Sequence, residues 1–485
     1  MHFAAITQRF STLLLRQGIH AGALRRGFEP RCLEGMKAFA FEWLLAGILA
    51  GLLPSLAIPS CSYIISASVE TADGYSNYAA VRPGDTVCIQ GGVRGRLNLR
   101  NFQGTSIAPI TFTNTGGQAV ITSTEWVGLY VRNSRYFRIT GTGDPSVAYG
   151  IRIAQSTNLG VNIADSSSDF EIDHVEVSGA PGQGITAKTE ASCTLSRNTF
   201  TQYNTVIHDT YIHDVSDEGM YIGSSAYTGD KLVCNGVTQT VYPPVLRGVW
   251  IYNSTVVRTG QDGIQVGSAV ENCAIHHNQI SQDSQRNVNN QRSGMMINPG
   301  SVCDVYNNLI RDGAGRGIYV QGNGGNRIYN NLIIRPGKLE TTDGHGITIA
   351  TGSNTGQDIF VWNNTIISPH NVGIKFRNSK GVRSEIINNI VVAPGNLSVA
   401  GDAAYIDTGG RTNVVVSHNL KKATAAEVLF VNPTVDNYDL QAGSPAVDAG
   451  LSLSPNVPYD YAGRSRPLGT TYDIGAYEYA FGTFH

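Results

Sequence analysis

The chain has 485 residues, 55 of them glycine, with charged residues at 15% and a formal net charge of -2. This balance excludes a nucleic-acid binder that works through a clustered basic excess, and it leaves little long-range steering, so a charged ligand must be held by local clusters. The length fits two or three compact domains, but the repeats described below override that expectation, because a solenoid grows by stacking and not by enlarging one core.

Residues 1–35 carry Arg9, Arg16, Arg25, Arg26 and Arg31 and share none of the later pattern. They read as translated sequence upstream of a start at Met36, in preference to a transit peptide. From Met36 the chain shows Lys37, an apolar run Trp43–Leu53, and the small-x-small site Ser55-Leu56-Ala57. Residues 36–57 are therefore expected to be a secretory signal peptide, too short for a membrane span. Ile58-Pro59-Ser60 makes a poor lipidation site before Cys61. The expected location is secreted, extracellular or at the cell surface.

Export makes disulfides available to the six cysteines beyond the signal. Cys273 and Cys303 each lie two residues before the first apolar residue of a repeated motif (Ile275, Val305) and should stack on neighbouring coils, either as a bridge or as inward thiols. Cys193 and Cys234 fall in the two longest interruptions of the early repeats and are expected to pin them. Cys61 with Cys88 would close the first coil.

The opening AVRPGDTVCIQGGVRGRLNL, followed by SIAPITFTN and QAVIT, supplies short strands separated by Pro-Gly and Gly-rich bends. YFRITG with GIRIA, FEIDHVEV with GITA, and VIHDTYIHDV with GMYIG then establish a two-segment scheme. It becomes regular from Val249, in VWIYNSTVV, CAIHHNQIS, CDVYNNLIR, NRIYNNLII, IFVWNNTII and SEIINNIVV. The partner segments are DGIQV, SGMMI, RGIYV, HGITI and VGIKF. The second polar position gives Ser254, Asn278, Asn308, Asn331, Asn364, Asn389 and Asn419, spaced 23 to 33 residues apart. A fixed motif with variable spacers predicts a solenoid whose coils carry loops of different length, and the alternation within each segment makes it a β-solenoid. The tail from residue 431 lacks the coil period and is expected to pack over the last coils as a cap, since an open terminal coil exposes unpaired strand edges.

Parallel coils bring identical positions into register about 4.8 Å apart, so the Asn column should pass amide hydrogen bonds from coil to coil. Those asparagines are scaffold in preference to catalysts. The Gly before each partner strand (Gly219, Gly263, Gly294, Gly317, Gly346, Gly373) is expected to relieve a tight bend.

PGDTVCIQGG, APITFTN, the Asn-marked turns and the repeated G-I-x-V strands resemble the right-handed parallel β-helix proteins of the pectate-lyase-like superfamily, over residues 62–430. The SPAVDAG…DIGAYEY tail, residues 431–485, is similar to one on secreted members. The resemblance implies an all-β right-handed parallel β-helix with a C-terminal capping tail. It also implies that a long variable turn precedes the strand lining a substrate groove. Here the variable segments are Gln282–Arg292 and Pro336–His345, so the G-I-x-V strand should line the groove. Its outward residues are Tyr221, Gln265, Met296, Tyr319, Thr348 and Lys375, with a rim of Gln183, Glu218, Asp262, Ser293, Arg316 and His345, and Asp217 and Arg292 one position earlier.

Along the axis this rim turns from acidic to basic. A lyase acting on a uronate must neutralise the carboxylate and place a base near the C5 proton. Asp217, Glu218 and Asp262 are the candidate ligands of a Ca²⁺ ion for the first task. Arg316, His345, Tyr319 and Lys375 are the candidate catalytic residues. Tyr221, Gln265 and Arg292 are the candidate substrate contacts, Tyr221 by stacking on a sugar ring. Mixed charge on a solvent-facing β-surface is also ordinary. The outward column His208, Tyr252, His276, Tyr306, Tyr329 and Trp362 reads as cladding in preference to a carbohydrate platform.

The expected function is a secreted, monomeric polysaccharide lyase cleaving an anionic glycan by β-elimination, with no nucleic acid and no membrane span. The alternatives are a glycoside hydrolase using paired carboxylates such as Asp217 or Glu218 with Asp262, or a glycan-binding surface protein without catalysis.

Overall fold

The computed structural model describes residues 60–339, 343–395 and 398–480. The upstream extension and the signal peptide expected over 1–57 lie outside the described residues.

The chain winds as a parallel β-helix of three strands per coil. In one coil the strands are Cys303–Tyr306, Leu309–Arg311 and Arg316–Val320. Each pairs in parallel with its counterpart one coil on: Arg327–Tyr329, Leu332–Ile334 and Ile347–Ile349. The third strands form a 12-stranded sheet; the first and second strands merge into one of 23. Val305, Ile310 and Ile318 point inward and are buried, giving the stacked aliphatic core that the alternation predicts.

Each turn between first and second strands has two parts. The residue before the ladder position is left-handed, at φ 50–59° in Asn253, His277, Asn307, Asn330, Asn363, Asn388 and His418, which explains why Asn or His stands there. The next residue carries the ladder. Asn278 donates to Asn308 (3.1 Å), Asn308 to Asn331 (3.0 Å), Asn331 to Asn364 (3.0 Å), Asn364 to Asn389 (2.9 Å) and Asn389 to Asn419 (2.9 Å). Ser254 joins through its backbone N–H, 3.1 Å from Asn278 Oδ1.

The glycines of the third column do not relieve a bend, and none of the six has positive φ. They are needed for close approach. A Cβ on Gly317 would lie 2.5 Å from the Gly346 carbonyl oxygen and 2.6 Å from Ile333 Cγ2, and Gly263 and Gly346 are equally crowded. Each packs its backbone against the next coil and a second-column aliphatic, where a methyl group has no room.

All three expected cysteine pairs are disulfides: Cys61–Cys88, Cys193–Cys234 and Cys273–Cys303. Cys273 and Cys303 are register partners on adjacent first strands, so the inward pair is bridged and is not a stack of thiols. Cys193–Cys234 ties down an antiparallel hairpin, Asp230–Cys234 with Val237–Val241, inside the long interruption.

The described part of the tail packs along the outer side of the later coils. Tyr438, Leu440 and Ile474, with Val428 and Phe430 just before the tail, cover the outward faces of Leu332, Ile334, Ile367, Ile390 and Val392. Leu453, Val457 and Tyr472 cover Trp362 and Ile387. The left-handed asparagines anchor it: Asn330 donates to Tyr459 O, Asn363 to Asp473 O and Asn388 to Leu451 O. Arg466 and Glu478 form a fully buried ion pair within it (2.6 Å). Among the described residues no helix is long and apolar enough to cross a membrane.

Candidate active-site groove

Tyr221, Gln265, Met296, Tyr319, Thr348 and Lys375 are successive register partners in the third sheet, so they share its outer face. Exposure divides them. Tyr221, Tyr319 and Lys375 are half-buried, whereas Gln265 is fully buried and Met296 nearly so. The middle of the floor is buried, and Gln291 of the segment Gln282–Arg292 meets Gln265 there.

At the acidic end, the side-chain amide of Gln291 reaches down among the rim residues. With its nitrogen turned inward it donates toward Gln265 Oε1 (2.8 Å), Glu218 Oε1 (2.9 Å) and Asp262 Oδ2 (2.9 Å). Gln265 therefore joins the acidic cluster and does not meet substrate in this conformation. Burial raises the pKa of Glu218; burial and then the Glu218 charge raise that of Asp262 far more. Asp217 points elsewhere, ion-paired to Arg286 (2.7 Å) and hydrogen-bonded by Gln261 (2.6 Å). The three acids expected to share a cation thus resolve into a convergent pair and a separate residue.

Asp283 lies on the same segment, outside the repeat pattern. It is fully buried, and burial pushes its carboxyl up to about 7; nothing in an isolated Asp-Ser pair signals this.

At the basic end, Arg316 and Arg292 both reach one oxygen of Asp343, at 2.6 and 3.0 Å. Although burial opposes it, Arg316 and Arg292 hold the Asp343 carboxyl below its usual range. The Arg316 guanidinium packs over the Tyr319 ring at 4.3 Å, and burial raises the Tyr319 pKa. Tyr319 and Lys375 stand two rungs apart, about 10 Å along the axis.

His345 is fully buried behind this group. The Val372 N–H donates to its Nδ1 (3.2 Å), which leaves the single proton of a neutral ring on Nε2. Nε2 lies 3.1 Å from Lys375 Nζ. With the proton on Nε2, the lysine amine is the acceptor of that contact. Burial and then the Lys375 charge push His345 down to about 3, and burial and then Arg377 lower Lys375. Burial favours the neutral form of both groups.

Tyr221 is partly used by its own chain: Lys188 Nζ lies 4.1 Å from its ring centroid and its hydroxyl meets Ser225 (2.8 Å). On the first sheet, His208, Tyr252, His276, Tyr306 and Tyr329 stack in order at 4.6–5.2 Å. Rings that use their faces on one another present only edges outward, so this column is cladding. Glu171, Asp173 and His208 could together offer three ligand atoms to a metal. Arg138 already neutralises Asp173 (2.6 Å), and His208 sits between Glu171 (3.0 Å) and Asp209 (2.6 Å), so these charges are paired without an ion.

Residues 205–420 match the family model described as a right handed beta helix region. Among solved structures, pectate lyase Pel9A is 15% identical, with a TM-score of 0.47 over 87% of this chain and 97% of that one. The GH136 lacto-N-biosidase from Eubacterium ramulus is 13% identical, with a TM-score of 0.50 over 79% of this chain and 71% of that one. The PL6 family polysaccharide lyase Pedsa3628 from Pseudopedobacter saltans is 13% identical, with a TM-score of 0.42 over 79% and 97%. No curated protein matches the chain. At these identities the likeness concerns fold alone. The parallel coils, the Asn ladder and the family match make this chain a right-handed parallel β-helix.

Proposed function

We propose that the chain is an exported polysaccharide lyase that cleaves a uronate-containing glycan by β-elimination in the third-sheet groove, with the β-helix over 62–430 and the tail over 431–485. The observation that carries this reading is the Lys375–His345 contact, which favours the basic form of an amine on the groove floor near the Arg316 guanidinium. A neutral lysine on the groove floor suits a general base. It would take the C5 proton of a uronate; the C4–C5 double bond forms, the C4–O bond breaks, and the leaving oxygen takes up a proton. Arg316 and Arg292 would neutralise the carboxylate that makes C5 acidic. Tyr319, kept protonated by burial, is a hydrogen-bond donor on the same floor. His345 is inaccessible and acts through Lys375 as a positioning residue.

A divalent cation would add carboxylate neutralisation as a Lewis acid. The residues that fit are Glu218, Asp262 and Gln265, whose oxygens gather around one amide nitrogen, that of Gln291. An all-oxygen set suits Ca²⁺ or Mg²⁺ in preference to softer metals. Asp217 falls outside it. Three disulfides support export to an oxidising compartment.

One observation favours a second reading, glycoside hydrolysis: Glu218 and Asp262 both reach the Gln291 amide, and both have raised pKa values, as a general acid requires. The deciding experiment incubates the protein with pectate, alginate and glycosaminoglycans and follows the ultraviolet absorbance of unsaturated uronate. Absorbance that grows with time supports the lyase. New reducing ends without it support the hydrolase, and binding without new ends supports a glycan-binding protein.

A further inference from the structure

The basic end of the groove is already filled by an acid of the chain itself. Asp343 is more exposed than either arginine it meets, with a quarter of its side chain accessible against 7% and 13% for Arg316 and Arg292. Its carboxylate is therefore the more accessible partner in both contacts. Both guanidiniums converge on the same oxygen, Oδ2, and His345 Nε2 is 3.9 Å from the other. This leaves Arg316 under-used: its Nε and Nη1 are buried and have no hydrogen-bond partner among the described residues. A buried guanidinium with two unmet donors is costly and keeps capacity for a second, better-placed anion oxygen. A planar carboxylate that engages Arg316 side-on would satisfy donors that Asp343 leaves idle. Lys375 adds a basic group near Asp343, with Arg377 beside the lysine, and the Asp407 carboxylate is taken by Arg377.

We infer that Arg316 and Arg292 form the subsite for a sugar carboxylate, and that Asp343 is an internal mimic of that carboxylate which the substrate displaces. The inference rests on the acidic-glycan reading above and adds a regulatory contact to it. Because Asp343 occupies the subsite, only the fraction of molecules with the aspartate withdrawn is competent to bind, and the apparent dissociation constant rises by the inverse of that fraction. A neutral glycan gains nothing from the withdrawal.

The test is calorimetric titration of the full chain and of Asp343→Asn with oligogalacturonate and oligomannuronate, with a neutral xylo-oligosaccharide as control. Asp343→Ala serves as a second variant, and thermal unfolding identifies folded samples. The expected result is acidic-oligomer binding about tenfold tighter in both variants, with neutral-oligomer binding unchanged. Binding of the acidic oligomers by the parent chain, with no gain or a loss in both folded variants, overturns the mimic and leaves the acidic-glycan reading standing. Absence of acidic-oligomer binding by parent and variants alike overturns both. An equal gain for acidic and neutral oligomers also overturns the mimic, because it reports steric opening and not carboxylate exchange.

Discussion

His345 Nε2 stands 3.1 Å from Lys375 Nζ, and since the other ring nitrogen accepts the Val372 N–H, the lysine amine is the acceptor. The pair places the amine on the groove floor, where burial and the Arg377 charge outweigh the nearby Asp343 and Asp407 carboxylates and lower its pKa. Arg377 contributes by repelling the ammonium form.

The pH–rate profile follows from this. A base works above its pKa, and the Lys375 pKa is lowered, so the rising limb of kcat/KM should lie below the ordinary lysine value of about 10.4. Removing the Arg377 charge relieves the ammonium, so Arg377→Gln should move the limb to higher pH. A limb that stays in place or moves down contradicts this assignment.

The acidic end should respond to divalent cations. Added Ca²⁺ should raise the unfolding temperature of the full chain, by about 2.7 kcal/mol of stabilisation at a hundredfold excess over Kd. Gln291→Ala, which vacates the space among Glu218, Asp262 and Gln265, should enlarge that response, and Asp262→Asn should abolish it. Equal responses in all three proteins would place the cation elsewhere.

Asp283 gives a pH-dependent stability. Its folded pKa, about 7, lies above the unfolded value, so the folded state prefers the protonated form. The penalty is absent at low pH, grows as pH rises from about 4 towards 7, and is complete above that. Asp283→Asn should therefore be more stable than the parent at pH 8 by a few kcal/mol, on the order of the shift itself. The two should converge near pH 4. Denaturant unfolding at both pH values checks this; an equal difference at both would show that the side chain's packing, and not its charge, matters.

The ladder should be strongest inside. Asn364 donates to Ile328 O, Trp362 O and Asn389 Oδ1, and accepts from the Asn331 backbone and side chain. Asn364→Ala strands several buried groups and should cost about 3–5 kcal/mol. Asn419, half-buried at the end of the ladder, should cost about 1–2 kcal/mol when changed to Ala. Equal losses in denaturant unfolding would argue against a cooperative column.

The scaffold was legible because each coil repeats its instructions: Asn278 to Asn419 mark one column, and the paired aliphatics mark the core. The glycines were visible but misread, since the crowding against Ile333 or the next carbonyl belongs to the coil stack and leaves no local signature. The tail's position was also written in the sequence. LII, TII and IVV are apolar on both faces, which an uncovered outer face would not be. Lys375, His345, Arg316 and Arg292 could be placed in one neighbourhood from the rim pattern. Asp343 and Gln291 could not, because non-repeating loops carry them and only the folded path brings each to the rim.

The central claim is tested most directly by product analysis with the parent chain and Lys375→Ala. Lys375 faces outward, so the variant should fold and bind glycan. Mass spectrometry of the cleaved polyuronate should show fragments ending in an unsaturated uronate, with no water added across the broken bond. Lys375→Ala should make them at least about 100-fold more slowly. Fragments that have gained water, or unsaturated fragments formed as fast without Lys375, would contradict the account.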